Sequence, residues 1–541
     1  MTQFNWTNPY PSTRTPIFAR NIVSTSHPLA AQAGLKILQL GGNAVDAAIA
    51  AAAVMIIVEP VSNGLGGDCF AQVWDGKQLY ALNASGQAPE AWDINYFKHK
   101  YPPGTRPKRG WDSVTVPGVV KGWSMLHQRF GQLSWEQLFD SAIDIAIRGF
   151  IVTPVVAKKW QLAVPELEYQ PGFKNQFMPK GRAPVTGERI SLPQIARSLQ
   201  LLAKEGAECF YQGEIAEKIA AFAKQHGGAL SLSDLRSYSA LWVDPISLPY
   251  AGHTIHEIPP NGQGIAALMA LGILKHCPIE EFAVDSVESL HWQIEAMKLA
   301  FADVYQHVAD PRSMKVSSAQ LLDEQYLKQR AMLIKPDQAL TLEGNFPELG
   351  GTIYLTTADE SGMMVSFIQS NYMGFGSGVV VDDYGVSLQN RGYGFSLNED
   401  SPNVVAPFKR PFHTIIPGFV SKTNDQGIEE PVLSFGVMGG DMQPQGHVQT
   451  LVRMLNYQQQ PQSACDAPRW KVNRDFTVDF EASMPEHIVK GLLNKGHQQH
   501  AQSDPYMDFG AGQFIWRLSN DPEDGFVAAS DPRRDGQAVG Y

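Results

Sequence analysis

The stretch that decides the fold is Gly350-Gly351-Thr352-Ile353-Tyr354-Leu355-Thr356-Thr357-Ala358, a β-branched and aromatic run behind two glycines. Such residues favour a buried strand, so we expect Thr352 to lead one, with no bulky residue before it. Cleavage between Gly351 and Thr352 would give Thr352 a free α-amine beside its hydroxyl, so that one residue supplies both nucleophile and general base. The stretch therefore predicts a self-activated threonine. The alternative is a turn followed by an ordinary strand residue.

A hairpin is predicted directly after this strand. Residues 359–362 have the composition of a turn, and 363–369 again form a β-rich run. The return strand would bring Ser370 back toward Thr352, where its hydroxyl can orient the nucleophile through a hydrogen bond. The alternative for a strand serine is a ladder position or a solvent contact.

A glycine pair, Gly439-Gly440, follows the apolar run 432–437. Without a Cβ, its backbone N–H groups can approach a ligand closely, as the oxyanion of a tetrahedral intermediate requires. We predict an oxyanion hole here, against the alternative of a simple turn.

Composition limits the class of protein. The 541-residue chain is 44% hydrophobic, enough for a large core, and its net charge of −11 argues against a nucleic-acid partner. A small-molecule substrate fits better. Residues 1–20 lack the apolar segment of a secretory signal, so we expect a cytoplasmic protein. The apolar run 44–58 is too short to span a bilayer and predicts a buried helix.

Metal, nucleotide and serine-elbow chemistry find little support in the sequence. The glycine cluster 64–68 lacks the known nucleotide-binding patterns, His253 and His256 lack a zinc-protease spacing, and no G-x-S-x-G motif is present. We expect no cofactor and no metal. The four cysteines, without C-x-x-C spacing, are predicted to be core thiols: Cys69, Cys209, Cys277 and Cys465.

The pattern along the chain predicts one continuous α/β architecture, helix-rich first and strand-rich in its last third, as in a sheet sandwich covered by helices. Helices are predicted at 30–40, 44–58, 193–204, 214–225, from 231 and at 291–308. Strands are predicted at 352–357, 363–369, 378–381, 414–420 and 431–437.

Ordered sequence blocks make the chain resemble the γ-glutamyltransferase family of N-terminal-nucleophile hydrolases over nearly its whole length. The blocks are 41–48, 59–67, 117–118, 149–154, 250–252, 259–260, 295–303, 310–311, Thr352, 374–378, 410–411 and 439–440. The resemblance implies a four-layer αββα sandwich made as an inactive precursor. Self-cleavage would give a helix-rich large subunit, 1–351, and a strand-rich small catalytic subunit, 352–541, which together form one fold.

The resemblance also implies roles for individual residues. Thr352 attacks a γ-glutamyl amide, and Ser370, eighteen positions later, holds the place of the family's assisting hydroxyl. Gly439 and Gly440 match the oxyanion-hole pair.

Substrate recognition departs from the family's pattern. The family's carboxylate-binding arginine is replaced by Ser85, and no arginine is near it in sequence. The substrate-contact positions read Tyr372, Arg391, Gly394 and the pair His413-Thr414. We expect Tyr372, Arg391, His413 and Thr414 to contact the substrate, with Arg391 in place of the lost arginine.

The sequence thus predicts a self-processing, cofactor-free amidohydrolase that acts on glutathione or another γ-glutamyl amide by hydrolysis, transfer or both. Water, an amino acid or a peptide would be the acceptor, and the processed units could form a homo-oligomer. One alternative is the same nucleophile acting on another small amide, of the oxamate or acylated β-lactam type. A second is a non-catalytic binding protein with this fold.

Overall fold

The computed structural model describes residues 14–342, 352–500 and 509–541. Gly350 and Gly351, on which the predicted cleavage falls, lie outside the described residues. The helices are α1 (Pro28–Gln39), α2 (Ala44–Val58), α3 (Ile94–Lys100), α4 (Val119–Phe130), α5 (Asp140–Arg148), α6 (Pro154–Leu167), α7 (Phe173–Phe177), α8 (Pro193–Glu205), α9 (Glu208–Tyr211), α10 (Glu214–Gln225), α11 (Leu232–Ser237), α12 (Gly264–Leu274), α13 (Val287–His307), α14 (Ser318–Leu321), α15 (Glu324–Ala331), α16 (Met442–Leu451), α17 (Pro461–Asp466) and α18 (Glu486–Asn494).

The strands are β1 (Ile17–Ala19), β2 (Ile22–Thr25), β3 (Asp68–Trp74), β4 (Leu79–Ala84), β5 (Phe150–Ile151), β6 (Arg189–Ile190), β7 (Leu241–Val243), β8 (Ile246–Tyr250), β9 (His253–Glu257), β10 (Ile353–Ala358), β11 (Met364–Ser370), β12 (Val380–Val381), β13 (Val386–Ser387), β14 (Gly418–Thr423), β15 (Glu429–Met438), β16 (Trp470–Val472), β17 (Val478–Phe480), β18 (Ala511–Arg517), β19 (Phe526–Ser530) and β20 (Gln537–Gly540). Short 3-10 turns include Trp111–Ser113 and Arg391–Gly394.

Two seven-stranded antiparallel sheets form the centre of the molecule. Sheet I has the order β20-β2-β10-β11-β3-β4-β7, and sheet II has the order β1-β19-β18-β15-β14-β9-β8. Smaller two-stranded sheets pair β5 with β6, β12 with β13 and β16 with β17. Strand β10, which follows Thr352, is thus a central strand of sheet I.

Alternation along β10 explains the layering. Ile353 and Leu355 pack into a core cluster with α1 and α2 on the outer face of sheet I. Tyr354 points the other way and packs against Met438 and Ala511 of sheet II, as the two-residue period of a strand requires. Sheet II buries its own outer face against α12, α13 and α16. The result is the predicted four-layer αββα sandwich.

Helix α2 shows how an apolar segment with one charge becomes a core helix. All of its residues are buried. Asn43 caps the helix, and the Asp46 carboxylate accepts from the N–H groups of Asn43, Gln132 and Leu133 at 3.3, 3.0 and 3.0 Å. These bonds compensate the burial of the charge. Within the described residues, no helix combines the length and apolar character needed to cross a membrane.

The predicted helices occur with ends shifted by a few residues, and the predicted strand 414–420 is wrong in its first half. Strand β14 begins only at Gly418. The preceding backbone does not bond to a neighbouring strand: His413 N–H donates to Asn261 O in a loop, and Ile416 N–H donates to the Gln443 side chain on α16. All four cysteines are free, three of them buried and Cys277 half-buried.

Candidate active site

The β10–β11 hairpin places Ser370 beside Thr352. Its turn closes with a bond from Asp359 N–H to Met363 O, and Ile353 pairs with Gln369. One position further along the ladder, the Thr352 hydroxyl donates to Ser370 Oγ at 3.3 Å. Thr352 is 3% exposed, so the pair lies in the interior. The predicted hairpin is confirmed.

The Ser370 oxygen is also held from the loop that follows it. Tyr372 N–H donates to Ser370 Oγ at 2.7 Å, and the Arg391 guanidinium donates to the same oxygen at 3.2 Å. To aim its N–H backwards, Tyr372 adopts a left-handed backbone with φ of 80°, a conformation that costs energy in a residue with a Cβ.

Arg391 is fully buried beside this pair. Its second terminal nitrogen donates to Thr414 Oγ1 at 2.9 Å, and its guanidinium carbon lies 4.1 Å from the Tyr372 ring centroid. Across the described part of the chain, no carboxylate lies within salt-bridge distance of Arg391. Burial lowers its pKa to about 10, against the opposing effects of Tyr372 and Asp68. The site therefore holds a positive charge next to the candidate nucleophile.

His413 and Asp68 form a buried pair behind Thr414. His413 Nε2 donates to Asp68 Oδ2 at 3.0 Å. Burial and then the charge of Arg391 lower the pKa of His413 to about 4, so the imidazole is neutral near pH 7. Asp68 Oδ1 also accepts from Gly86 N–H, Gly118 N–H and Gln389 Nε2. The carboxylate thereby joins loops of both halves of the chain.

The glycine pair follows β15 and turns into α16. Gly439 has φ of 124° and Gly440 has φ of 60°, and a Cβ on Gly439 would come within 3.0 Å of Gly510. Within the residues that the structure describes, neither N–H group of the pair donates to the protein. Two free donors at a tight turn are suited to bind an oxyanion.

Gln443, on the first turn of α16, connects the glycine pair to the nucleophile. Its side chain donates to Thr352 Oγ1 at 3.5 Å, and its backbone N–H donates to Gly440 O at 3.2 Å. Sequence reasoning missed this residue. Its position three residues after the second glycine, at the start of a helix, was the available signal.

The position of the missing arginine is filled by a polar cluster. Ser85 is buried, and its hydroxyl donates to Asn83 Oδ1 at 2.7 Å while accepting from Asn261 Nδ2 at 3.2 Å. Arg410 reaches this point, but it donates to the Ser85 backbone carbonyl at 3.2 Å. Neighbouring residues therefore satisfy the hydrogen bonds of the serine that stands in place of the family's arginine.

A cavity of about 800 Å³ adjoins the site through Tyr372 and Gly394. Its wall also includes Arg106, Arg474 and Phe412. Sequence reasoning also missed Arg106 and Arg474, because only the fold brings these two residues together.

One histidine-rich cluster has the make-up of a metal site. The ligand atoms of His291, Glu295 and His497 lie within 4.8 Å of one another. The Lys298 ammonium, however, lies 2.9 Å from Glu295 Oε1 and 3.2 Å from His497 Nδ1. The lysine supplies the positive charge that a metal would supply, so we assign this cluster to the core of the α13 layer.

A threonine that leads a central strand of an αββα sandwich, with a hydroxyl and a glycine turn beside it, defines an N-terminal-nucleophile hydrolase. Comparison with known proteins agrees with this class. The model of the gamma-glutamyltranspeptidase family matches residues 30–541, and the chain belongs to that family. It is accordingly an enzyme and not a non-catalytic binding protein.

Relatives cover essentially the full chain. The glutathione hydrolase-like YwrD proenzyme of Bacillus subtilis (strain 168) is 35% identical over 97% of this chain and 99% of its own length. The oxamate amidohydrolase proenzyme of Klebsiella pneumoniae subsp. pneumoniae is 34% identical over 95% and 97%, respectively. Among solved structures, the cephalosporin acylase from Bacillus halodurans is 45% identical, with a TM-score of 0.94 and coverage of 100% of this chain and 99% of its own.

Proposed function

We propose that this enzyme cuts itself before Thr352 and then cleaves γ-glutamyl amides such as glutathione, by hydrolysis, transfer or both. The observation that carries the proposal is the hydrogen-bonded pair of Thr352 and Ser370 at 3.3 Å. Family membership over residues 30–541 supports the same conclusion.

Maturation would use the Thr352 hydroxyl. Its oxygen attacks the Gly351 carbonyl carbon, the C–N bond breaks, and the proton of the hydroxyl passes to the threonine nitrogen, which becomes an amine. Water then opens the resulting ester, which leaves a carboxylate on Gly351 and a free hydroxyl on Thr352. We propose 1–351 and 352–541 as the large and small fragments of the mature enzyme.

Turnover would use the new amine as general base. It accepts the hydroxyl proton while Oγ1 attacks the substrate amide, and the Gly439 and Gly440 N–H groups donate to the oxyanion. The leaving amine takes a proton as the C–N bond breaks, and an ester on Thr352 remains. Water or an acceptor amine then releases the acyl group.

The groups around Ser370 would set the acyl specificity. We propose Tyr372, Arg391, His413 and Thr414 for this role, with the Arg391 charge facing the acyl carboxylate. Its Nε atom is buried without a partner among the described residues, which leaves one donor for a ligand.

A second candidate substrate is another small amide of the oxamate or β-lactam acyl type. The observation that favours it is the Ser85 cluster, whose polar side chains bond to one another, while the Arg410 side chain that reaches this position donates to backbone carbonyls.

The experiment compares three substrates on purified, processed enzyme: L-γ-glutamyl-4-nitroanilide, glutaryl-4-nitroanilide and oxamate. We expect kcat/KM to be highest for the γ-glutamyl anilide, and Thr352→Ala to be inactive on all three. Higher kcat/KM on oxamate or the glutaryl anilide would contradict the γ-glutamyl assignment and favour the second candidate.

Cytoplasmic residence is also proposed. All four cysteines are free thiols, which fits a reducing compartment. Fractionation of cells that produce the protein, with a disulfide-bonded periplasmic or secreted protein as marker, tests this location.

A further inference from the structure

The residues that line the cavity beside the active site are suited to bind a flat or apolar group. Tyr305, Tyr372, Tyr393 and Phe412 contribute aromatic rings to its lining. Its volume of about 800 Å³ lies in the range of small-molecule sites. Tyr372 belongs to both places, because its backbone holds Ser370 and its ring lines the cavity.

The cations that line this cavity differ in whether a carboxylate pairs with them. Arg474 is paired with Asp441 at 2.9 Å, and Lys98 is paired with Glu399 at 2.7 Å. Arg106 differs from both. It donates to the backbone carbonyls of Tyr393 and Phe395, and over the described ranges no carboxylate lies within salt-bridge distance of it.

One residue of the lining also carries a polar atom without a partner. Tyr372 is 1% exposed, and within the described residues its hydroxyl makes no hydrogen bond. Burial raises the pKa of this phenol, so the hydroxyl stays protonated and can donate. A buried donor without an acceptor costs free energy unless a ligand supplies one.

We propose that this cavity binds a carboxylate of the substrate, with Arg106 as the charged anchor and the Tyr372 hydroxyl as a second donor. The proposal deepens the proposed function and rests on it. The substrate is then an amide whose anionic group is joined to the scissile bond through an apolar or aromatic stretch that fills the cavity. That carboxylate can belong to the amine portion, or it can be the acyl carboxylate, which Arg106 and not Arg391 would then bind.

Three chromogenic probes separate these two sources. L-γ-Glutamyl-4-nitroanilide has a carboxylate on the acyl portion, 4-aminobutyryl-4-nitroanilide lacks it, and L-γ-glutamyl-3-carboxy-4-nitroanilide adds one to the amine portion. The enzymes are wild type, Arg106→Met, the charge-conserving Arg106→Lys, and Lys98→Met as a matched cavity cation that is already paired.

In Arg106→Met we expect kcat/KM to fall about ten- to a hundredfold, through KM, for the probe whose carboxylate reaches the cavity. If the γ-glutamyl anilide loses this factor relative to the 4-aminobutyryl anilide, the acyl carboxylate is bound. If only the added advantage of the 3-carboxy probe is lost, the amine portion is bound. Arg106→Lys should keep most of the preference, and Lys98→Met should keep all of it.

Equal losses on all three probes, or unchanged preferences in Arg106→Met, would overturn the proposal. Because Arg106 also holds two backbone carbonyls, melting temperatures of the variants accompany the kinetics. Calorimetric titration with benzoate, a carboxylate on an aromatic ring, tests the cavity without turnover. We expect binding at least tenfold weaker in Arg106→Met, and equal binding would overturn the anchor. Failure of wild type to cleave any probe would count against the proposed function alone.

Discussion

The Ser370 hydroxyl is held from the strand side by Thr352 and from the loop side by Tyr372 and Arg391. Such fixed partners leave its oxygen little freedom to rotate away. The geometry of the nucleophile therefore depends on a residue that forms no bond to the substrate in the proposed reaction. Ser370 is a positioning residue in this account.

Replacing Ser370 by alanine should lower kcat about a hundredfold, because an oriented hydrogen-bonding partner of the nucleophile is lost. Ser370→Thr, which keeps the hydroxyl, should retain most of the activity. Single-turnover kinetics on fully processed protein measure the effect. Wild-type turnover in processed Ser370→Ala would remove Ser370 from the mechanism.

Arg391 should tune the base as well as face the substrate. The Arg391 guanidinium and the Thr352 hydroxyl both donate to Ser370 Oγ, so the positive charge lies close to Thr352. A nearby cation disfavours protonation of the new α-amine. In Arg391→Gln we expect the acidic limb of the kcat/KM profile to move up by about one pH unit. A lower rate with an unmoved limb would mean that Arg391 serves packing or substrate binding only.

At the scale of elements, the cap of α1 carries a titratable group. His27 Nδ1 accepts from Leu29 N–H, and burial lowers its pKa to about 4 from an ordinary value of 6.5. As the pH falls, His27 therefore becomes protonated in the unfolded chain at a higher pH than in the folded protein. Stability from this group is complete above pH 6.5 and is lost as the pH falls toward 4.

His27→Asn keeps a side chain that can cap the helix and removes the titration. Between pH 6 and 5 we expect the unfolding free energy of the parent to fall more steeply than that of His27→Asn, by about 1.4 kcal/mol per pH unit. Urea unfolding in an uncleaved Thr352→Ala background measures both. Parallel pH profiles would show that His27 does not titrate between the two states.

Elements with local signals could be predicted from the sequence. The start of α2 was predicted from its cap, Asn43. The β10–β11 hairpin was predicted from the turn 359–362 and the β-branched run after Thr352. Each of these signals depends on only a few neighbouring residues. The strand prediction for 414–417 was wrong because its apolar residues resemble a strand, whereas Ile416 N–H donates to the Gln443 side chain on α16.

The site divides in the same way. Order along the chain was enough to predict Thr352, Ser370 and the glycine pair as candidate site residues. Gln443 and Arg106 depend on contacts between segments far apart in sequence, which periodicity does not encode. The network around Arg391, with Thr414, Ser370 and the Tyr372 ring, needed the fold.

At the scale of the whole molecule, both proposed fragments contribute strands to each of the two large sheets. Strand β10 pairs with β2 of the large fragment, and β11 pairs with β3 of the large fragment. In sheet II, β14 pairs with β9 across the same division. Separating the fragments would break the central ladders and expose both inner faces.

We therefore expect the two fragments to stay together after cleavage. Native mass spectrometry should give one species containing both, while a denaturing gel should give two bands. Elution of a free fragment at native pH, without denaturant, would contradict the single fold proposed for 1–351 and 352–541.

The most direct test of the central claim is N-terminal sequencing combined with intact-mass measurement of purified wild type and Thr352→Ala. The wild type should yield a small fragment that begins at Thr352 and ends at Tyr541, because the Thr352 hydroxyl is the cleaving nucleophile. Thr352→Ala should remain one uncut, inactive chain, and Thr352→Ser should be cut at the same bond. A Thr352→Ala protein that still appears as two fragments, or a wild type that remains one active chain, would contradict the account.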